Sequence, residues 1–412
     1  MEAAALRPAF QAIFQHRNAK RNSYAAACQM KICRIATVPF FLYNHLRGQI
    51  AATVAAGHEV VLVSGSGPEA EWLKAIPGVK FHEIDIPRRI SPLRDIRALW
   101  QLYVFFRSER FDIVHSTTPK AGMLCAIAGF FARIPIRLHT FTGQAWAKLG
   151  GAMRWIAKAG DRVTVRLDTL CYADSPSQVE FMVAEGIAKV DKVRVLGSGS
   201  LAGVDLSRFD PERWAKSGKA PLKELGIPKS HRIIAFIGRV TRDKGVNELV
   251  EAFGMLRRDG LKCTLLLIGP GEADDGSLSN SAADTTDPDI RHVGYSPEPE
   301  RYLAVTDIFC LPSYREGFGN VAIEAAAMGI PTVGTGIVGL KDAVVDGKTG
   351  ILVPPKDSEA LARALKTLLA DDALRQNMGE AAKLRTEREF SSEKVNAAVI
   401  AEYEKLRDCL SK

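Results

Sequence analysis

From Lys31 onward, short apolar segments alternate with longer segments that have helical periodicity. The first strand-like segment is "KICRIATVP", a helix is predicted through "HLRGQIAATVAAG", and a second strand follows at "HEVVLVSG". The same rhythm continues through "FDIVHS", the helical "KAGMLCAIAGFFARI", "IRLHTF", "TLCYADS" and "KVRVLGSGS". Such alternation is typical of parallel strands joined by crossover helices, so it predicts a doubly wound α/β domain that ends near Asp205.

The alternation stops in the polar segment 204–231 and then starts again. Strands are predicted at "RIIAFIGRV", "CTLLLIGPG", "IRHVGYS", "IFCLPS", "PTVGTG" and "GILVPP", and the acidic segment 271–289 is predicted to be a loop. The sequence therefore predicts two Rossmann-like domains that face a cleft. The predicted parts are a loosely ordered extension (1–29), an N-terminal domain (30–205), a C-terminal domain (206–385), and a helical segment that packs back on the N-terminal domain (386–412).

Composition excludes several other classes of protein. Seven scattered cysteines without CxxC spacing argue against both a disulfide framework and a zinc site, and they indicate a reducing cytosol in which most are small buried side chains. No apolar segment approaches the roughly 20 residues of a membrane span. The net charge of +8 is uneven, because residues 1–205 carry 26 basic and 16 acidic side chains while the remainder carries 29 and 31. The first half is therefore expected to meet an anionic partner.

Two acids lie near the start of a predicted helix in "REGFGNVAIEAAAMGIP". The helix is predicted to begin near Asn320 and to stop at Gly329. Glu316 then lies in the loop before the helix, and Glu324 lies about one turn inside the helix. Helix N-termini at the carboxyl edge of a parallel sheet attract phosphate. The candidate phosphate-binding amides are those from Phe318 to Val321, through Gly319 and Asn320. Alternatively, one acid caps the helix and the other is solvated.

A second motif, "GRVTRDKG", follows the first strand of the second domain. It brings Gly238, Arg239 and Lys244 to the same edge, where two fixed cations suit a diphosphate. The alternative is that both cations are ordinary surface charges. The acid pair in "DPD" (287–289) is interpreted as part of a solvated loop rather than as a metal-binding motif, so no metal site is predicted.

These motifs, together with "LLLIGPGE", "DGKTGILVPPKD" and the interdomain "GVDLSRF", resemble those of family-four retaining glycosyltransferases, which have the GT-B fold. The resemblance covers the chain from Lys31 and is strongest over 233–357. It implies an acceptor-binding and membrane-facing domain (30–205) and a nucleotide-sugar-binding domain (206–385). It implies catalytic roles for Arg239 and Lys244, which would neutralise the donor diphosphate, and for Glu316, which would contact the transferred sugar. Glu324 would hold the ribose. It also implies that no metal or other cofactor is needed, since the nucleotide-sugar is a substrate, with a uridine diphosphate donor expected.

In the first domain, residues on the acceptor side resemble those of relatives that extend polyprenyl-diphosphate-linked glycans in bacterial surface polysaccharide synthesis. His115 lies at a predicted strand end, although an ordinary polar histidine explains it equally well. Where such relatives often have "HTVHG", this chain has "HTFTG", so Thr142 replaces a histidine and His139 is a partial substitute. The segment 38–48 is predicted to be a loop over the acceptor, with Tyr43, Asn44 and His45 as polar candidates; its aromatic residues fit a core equally.

Two basic segments, 87–110 and 130–166, account for the charge bias. In the second, basic residues alternate with Phe141, Trp146 and Trp155, a pattern suited to anionic lipid, although core aromatics beneath a solvated cationic face give the same pattern. No nucleic-acid-binding motif accompanies this charge.

The expected function is thus transfer of a sugar from a nucleotide donor to a lipid-linked glycan, by a cytoplasmic protein attached to the inner face of the membrane. The alternatives are a nucleotide-sugar 2-epimerase and a non-catalytic carbohydrate-binding protein. A dinucleotide oxidoreductase is disfavoured, because no GxGxxG follows the first strand.

Overall fold

The structure is a computed structural model that describes residues 29–88, 90–215, 220–271 and 287–410. Within these residues, thirteen strands form two parallel sheets. The strands are β1 (Lys31–Ile35), β2 (Glu59–Ser64), β3 (Val79–Glu83), β4 (Ile113–Ser116), β5 (Ile136–Phe141), β6 (Leu170–Ala173), β7 (Val193–Val195), β8 (Arg232–Ile237), β9 (Cys263–Ile268), β10 (Ile290–Gly294), β11 (Ile308–Leu311), β12 (Thr332–Thr335) and β13 (Gly350–Val353).

Helices connect most successive strands. They are α1 (Pro39–Phe41), α2 (Arg47–Ala55), α3 (Glu69–Lys74), α4 (Pro92–Glu109), α5 (Pro119–Ala132), α6 (Gly151–Leu167), α7 (Pro176–Ala184), α8 (Pro211–Ala215), α9 (Ala220–Glu224), α10 (Val246–Arg258), α11 (Glu300–Leu303), α12 (Asn320–Ala327), α13 (Leu340–Ala343), α14 (Ser358–Ala370), α15 (Asp372–Glu389) and α16 (Ser392–Leu410). A π-helical turn (Leu42–Leu46) and two 3₁₀ turns (Ala145–Lys148 and Arg242–Lys244) complete the regular structure of the described residues.

Both sheets reverse their strand order once. The first has the order β3-β2-β1-β4-β5-β6-β7, and the second has the order β10-β9-β8-β11-β12-β13. The reversals fall between β1 and β4 and between β8 and β11, which are the points where open α/β sheets bind ligands beyond the carboxyl ends of their strands. The predicted doubly wound α/β fold is confirmed.

Contacts between Cα atoms divide the chain into two compact units. The first contains residues up to 116 together with 120–138 and 400–412, and the second contains 117–119 and 139–399. The domain boundaries predicted at 205 and 386 therefore do not coincide with this division. The predicted extension 1–29 lies outside the described residues except for Gln29.

Each unit has its own hydrophobic core. In the first, side chains of β2 such as Val61 and Val63 pack with Leu102 and Phe106 of α4 and with Leu124 of α5. In the second, the strands β8, β9 and β11 contribute buried side chains to one large cluster, and a smaller cluster surrounds Trp146. Five cysteines are buried as expected, whereas Cys409 is exposed and Cys28 lies outside the described residues.

The prediction that 38–48 is a loop is wrong, because the segment is helical. Pro39 stands at the first position of α1, where its fixed φ favours a helix and its missing amide costs no hydrogen bond. The π-helical turn then leads directly into α2. Apolar residues buried on one side, Leu42 and Leu46, hold this helical segment in place.

Candidate functional site

The reversal point of the second sheet brings the two predicted motifs together. Strand β8 leads into "GRVTRDKG" and its neighbour β11 leads into "PSYREGFG", so both segments emerge at one edge. Gly245 permits their close approach, because a Cβ at this position would lie only 2.0 Å from the carbonyl oxygen of Pro312. Its φ of 71° also falls in the left-handed region that favours glycine.

Lys244 and Glu316 form an ion pair at this edge. Lys244 Nζ donates to Glu316 Oε1 over 2.7 Å, and their side chains are only 20% and 13% exposed. Charge-assisted hydrogen bonds between largely buried groups are stronger than those on an open surface. The structure thus joins two residues that are 72 positions apart in the chain and that were predicted to share the site.

Arg239 is linked to the same turn through Asp243. Arg239 Nη2 lies 4.0 Å from Asp243 Oδ2, and the Arg239 side chain is 51% exposed. Asp243 also accepts hydrogen bonds from Lys148 Nζ and Thr241 Oγ1. Although burial opposes its ionisation, these bonds lower the pKa of Asp243 to about 2, so a fixed anion lies beside Arg239. Neither Lys148 nor Asp243 was among the predicted site residues.

The glycine-rich turn continues into α12, which begins at Asn320 as predicted. Gly319 has a φ of 92° and forms the N-cap of α12, a conformation that most side chains disfavour. The Phe318 ring is buried and packs edge-on against Phe390, with ring centroids 5.2 Å apart. The Asn320 side chain accepts a hydrogen bond from Ser200 Oγ at 2.9 Å. Any phosphate contact from this turn would therefore come from its backbone amides, and the Phe318 side chain is part of the core.

Glu324 is half-buried on α12 and has an unusual protonation equilibrium. Burial raises its pKa to about 7; Arg208 opposes this shift, and Glu300 adds to it. Arg208 and Glu300 form a two-pronged ion pair, with Nε–Oε1 at 2.6 Å and Nη2–Oε2 at 2.8 Å. Neither neighbour was among the predicted site residues, although Arg208 belongs to the interdomain motif "GVDLSRF".

A serine-containing segment after β6 contacts the glycine-rich turn (Gly317–Gly319) within the second unit. Ser175 Oγ donates to the Gly317 carbonyl oxygen over 3.3 Å. Ser177 Oγ donates to Asp342 and accepts from the Gly339 amide. The motif "DSPSQ" indicates only a helix N-cap, which Ser175 provides for α7, so these contacts were missed.

Asp174, at the carboxyl end of β6, lies beside Gly317. A Cβ on Gly317 would stand 3.2 Å from Asp174 Oδ2. The carboxyl group is 5% exposed, and its Oδ1 atom has no hydrogen-bond partner among the described residues. Burial raises the pKa of Asp174 to about 8, so the group is largely uncharged at neutral pH.

Two acceptor-side candidates belong to the second unit. His139 is 1% exposed, its ring meets Phe141 edge-on at 4.4 Å, and burial lowers its pKa to about 3. The imidazole is therefore uncharged at neutral pH. Thr142 is half-buried, and its carbonyl oxygen would lie 2.6 Å from a Cβ on Gly317, so its backbone borders the glycine-rich turn.

The other candidates belong to the first unit. The centroid of the Tyr43 ring lies 5.0 Å from that of Trp72. The Arg47 guanidinium carbon lies over the Tyr43 ring, 5.4 Å from its centroid. Asn44 is exposed and donates its side-chain amide to the Phe40 carbonyl oxygen at 3.0 Å. His115, in β4, contacts Arg34 and Tyr403 through its Nδ1 atom.

The "DPD" acids hold local structure. The Asp287 carboxylate accepts the Asp289 amide at 2.8 Å, and Asp289 pairs with Arg257 at 2.6 Å. Within the four described stretches, no group of three or more histidine, cysteine or acidic side chains is arranged to hold a metal ion.

Comparison with known proteins identifies the family. The model for "Glycosyl transferases group 1" matches residues 220–385, and that for "Glycosyl transferase 4-like domain" matches residues 44–199. The chain is 31% identical to the capsular polysaccharide biosynthesis glycosyltransferase CapM of Staphylococcus aureus, over 84% of this chain and 90% of CapM. This chain belongs to the group 1 glycosyltransferases. It is also 34% identical to a D-inositol 3-phosphate glycosyltransferase of Arthrobacter sp. (strain FB24), over 83% and 85% of the two chains.

Solved structures place this glycosyltransferase in the GT-B fold. Sucrose-phosphate synthase from Thermosynechococcus elongatus superposes with a TM-score of 0.77 at 21% identity, over 92% of this chain and all of that one. Anabaena Alr3699/HepE, solved with UDP and glucose, superposes with a TM-score of 0.73 at 18% identity, over 91% and 99%. At these identities the likeness concerns the fold, and it confirms the predicted GT-B architecture.

Proposed function

We propose that this group 1 glycosyltransferase transfers a hexose from a UDP-sugar to a lipid-linked glycan, with retention of anomeric configuration. The observation that carries the proposal is the Lys244–Glu316 ion pair at the reversal point of the second sheet, directly before the N-terminus of α12. Cations and helix amides bind diphosphate, whereas a carboxylate accepts hydrogen bonds from sugar hydroxyls. One site therefore offers a partner for each half of a nucleotide-sugar.

In the proposed reaction, the bond between the anomeric carbon and the diphosphate oxygen breaks while the acceptor oxygen bonds to the same face of that carbon. The acceptor proton passes to a phosphate oxygen, and UDP leaves. Lys244 and Arg239 stabilise the negative charge that develops on the diphosphate, as preorganised electrostatic catalysis requires. Because protein cations perform this task, we propose that no metal is needed.

The choice of donor and acceptor is supported by relatives. HepE was solved with UDP and glucose, and CapM is named for capsular polysaccharide biosynthesis. We infer that this chain acts in the synthesis of a surface polysaccharide, where glycans are extended on lipid carriers. Glu324 would hold the ribose of the donor through its carboxylate.

To test this proposal, the purified protein is incubated with a panel of UDP-sugars and a polyprenyl-diphosphate glycan, with and without EDTA. We expect release of UDP only when the acceptor is present, unchanged by EDTA, and an α-linked product from an α-linked donor by NMR. Turnover of the UDP-sugar without acceptor, to a 2-epimer, would contradict the proposal. Binding of the donor without any turnover would support a carbohydrate-binding protein instead.

We further propose that the protein attaches to the inner face of the cell membrane through α4. Four large apolar side chains follow one face of this helix at spacings of three and four residues, and their exposed fractions are unusually high: Leu93 85%, Ile96 65%, Trp100 64% and Val104 47%. The opposite face is buried in the core of the first unit. An exposed apolar stripe of this kind marks an interaction surface.

Arg97 and Arg107 lie at the borders of the stripe and are exposed, which favours anionic lipid as the partner. In the other basic segment, the expectation that aromatics face a membrane is wrong for two of three residues. Phe141 and Trp146 are buried, and only Trp155 is exposed, at 69%. Among the described residues, no helix combines the length and apolarity needed to cross a bilayer.

Vesicle co-sedimentation tests this attachment. Trp100→Ser is expected to weaken binding to phosphatidylglycerol vesicles severalfold, whereas Leu384→Ser, which removes an exposed apolar side chain from α15, should leave binding unchanged. Equal binding to neutral vesicles, or unchanged binding by Trp100→Ser, would contradict attachment through α4. A loss caused by Trp155→Ser alone would place the surface on α6.

A further inference from the structure

A cluster of three buried polar side chains lies at the reversal point of the first sheet. Arg34 of β1 and His115 of β4 are register partners across the strand pair. Tyr403 of α16 reaches both of them from the other end of the chain. All three side chains are nearly inaccessible, with exposed fractions of 3%, 1% and 1%.

The three polar atoms form a closed triangle. Arg34 Nη1 donates to the Tyr403 hydroxyl oxygen over 2.5 Å, and the Tyr403 oxygen lies 2.6 Å from His115 Nδ1. Arg34 Nη1 is itself 3.2 Å from the same His115 nitrogen. A guanidinium carries only donors, whereas a phenol has one donor and can accept.

The number of hydrogen-bond donors in the triangle indicates which atoms of Tyr403 and His115 carry hydrogen. The Tyr403 oxygen accepts from Arg34, so its own hydrogen is directed to the remaining acceptor of the triangle, His115 Nδ1. Burial raises the pKa of Tyr403, and this shift keeps that hydrogen on the phenol. A hydrogen on Nδ1 would instead face a donor of Arg34 and leave the Tyr403 hydrogen without an acceptor. The imidazole is therefore neutral, with its hydrogen on Nε2.

Burial of Arg34 is expected to destabilise the folded protein. Its Nε and Nη2 atoms are buried without a hydrogen-bond partner among the described residues. Unsatisfied donors in a buried site normally destabilise a protein. Since reversal points are where such sheets bind ligands, a functional role for the cluster explains why this cost is tolerated.

We propose that Arg34 and Tyr403 are positioning residues that hold His115 in the Nε2–H tautomer. The role of His115 rests on the proposed function. This tautomer limits what His115 can do in the proposed reaction. Because Nε2 already carries a hydrogen, it cannot take the proton that the hydroxyl group of the acceptor loses. The proton must go elsewhere, which agrees with transfer to the leaving phosphate.

The tautomer is measured directly by long-range ¹H–¹⁵N NMR on the full chain labelled with ¹⁵N-histidine, with the His115 signals assigned through His115→Gln. We expect the wild type to show the Nε2–H form at pH 7.5. In Tyr403→Phe, the Nδ1 signal should shift toward that of a nitrogen that accepts a weaker hydrogen bond. An Nδ1–H tautomer in the wild type, or an Nδ1 signal that Tyr403→Phe leaves unmoved, would overturn the inference.

A kinetic measurement then tests the positioning role. Tyr403→Phe should lower the transfer rate roughly tenfold, while Tyr302→Phe, a matched change in the second unit, should leave both the rate and the His115 spectrum unchanged. Unchanged transfer by Tyr403→Phe would overturn the role even if the tautomer is as expected. If the wild type transfers no sugar, the proposed function fails, yet the NMR result still decides the state of His115.

Discussion

Glu324 should make both stability and donor binding depend on pH near neutrality. Its carboxyl group is half-buried on α12, and burial raises its pKa from 4.5 to about 7. The folded protein therefore holds the proton more tightly than the unfolded chain does. The stability that this group contributes is fully present below about pH 4.5 and is lost as the pH rises through 7.

The size of the effect follows from the shift. A difference of 2.5 between the two pKa values corresponds to about 3 kcal/mol at 1.36 kcal/mol per unit, of which about 2.5 kcal/mol falls between pH 5 and pH 8.5. Glu324→Gln stays neutral throughout and lacks this loss. The free energy of unfolding of the variant, relative to the wild type, should thus increase by about 2.5 kcal/mol over that interval. Asp174, with a pKa raised to about 8, titrates in both proteins and cancels from the comparison.

Urea unfolding of both proteins at several pH values between 5 and 8.5 provides the measurement. Donor binding gives an independent signal, because the ionised carboxylate accepts hydrogen bonds from the ribose and only about a tenth of Glu324 is ionised at pH 6. Calorimetry with UDP-glucose should show roughly tenfold tighter binding at pH 8 than at pH 6 for the wild type, and no such change for Glu324→Gln. If the two unfolding profiles run parallel across this pH range, the reasoning about Glu324 is refuted.

Two further predictions concern Lys244 and the glycine-rich turn. Lys244→Met should reduce kcat roughly 100- to 1,000-fold, and a double-mutant cycle with Glu316→Gln should give a coupling free energy well above that of a surface pair, about 1 kcal/mol; additive effects would show that the ion pair has no role. Gly317→Ala would place a Cβ 2.6 Å from the Thr142 carbonyl oxygen and should raise the donor KM, whereas Gly150→Ala meets no atom of the described residues within 4 Å and serves as the control. Equal KM values for the two alanine variants would contradict the close approach.

Much of the second sheet and its edge could be predicted from local patterns. Apolar segments such as "CTLLLI" appear as β9 because a parallel strand buried on both faces has a continuous apolar run. Strand β3, "VKFHE", was missed because it pairs only with β2 and is largely exposed, so its sequence lacks that signal. Since parallel strands share a carboxyl edge, Lys244 and Glu316 could be assigned to one site without any knowledge of their distance.

The cluster of Arg34, His115 and Tyr403 could not be predicted in this way. Arg34 and Tyr403 are 369 positions apart, and Tyr403 lies on a charged helix whose sequence shows only amphipathic periodicity. Nothing local distinguishes a tyrosine that packs beneath a sheet edge from one that faces water. Burial of Arg34 also contradicts the expectation that arginine is exposed, and only the three-dimensional arrangement explains it.

The charge of the first half of the chain shows why a net count is a weak guide to partners. Lys148 pairs with Asp243, while Arg154 and Lys158 both pair with Glu185. Three of the seven basic side chains in 130–166 are thus engaged within the second unit, where two carboxylates offset part of their charge. A membrane is attracted by charge that remains unpaired near the surface, together with apolar area that can enter the interface. On α4, exposed arginines border a continuous exposed apolar face, so the proposed lipid binding rests on the side chains of this helix rather than on the overall charge of +8.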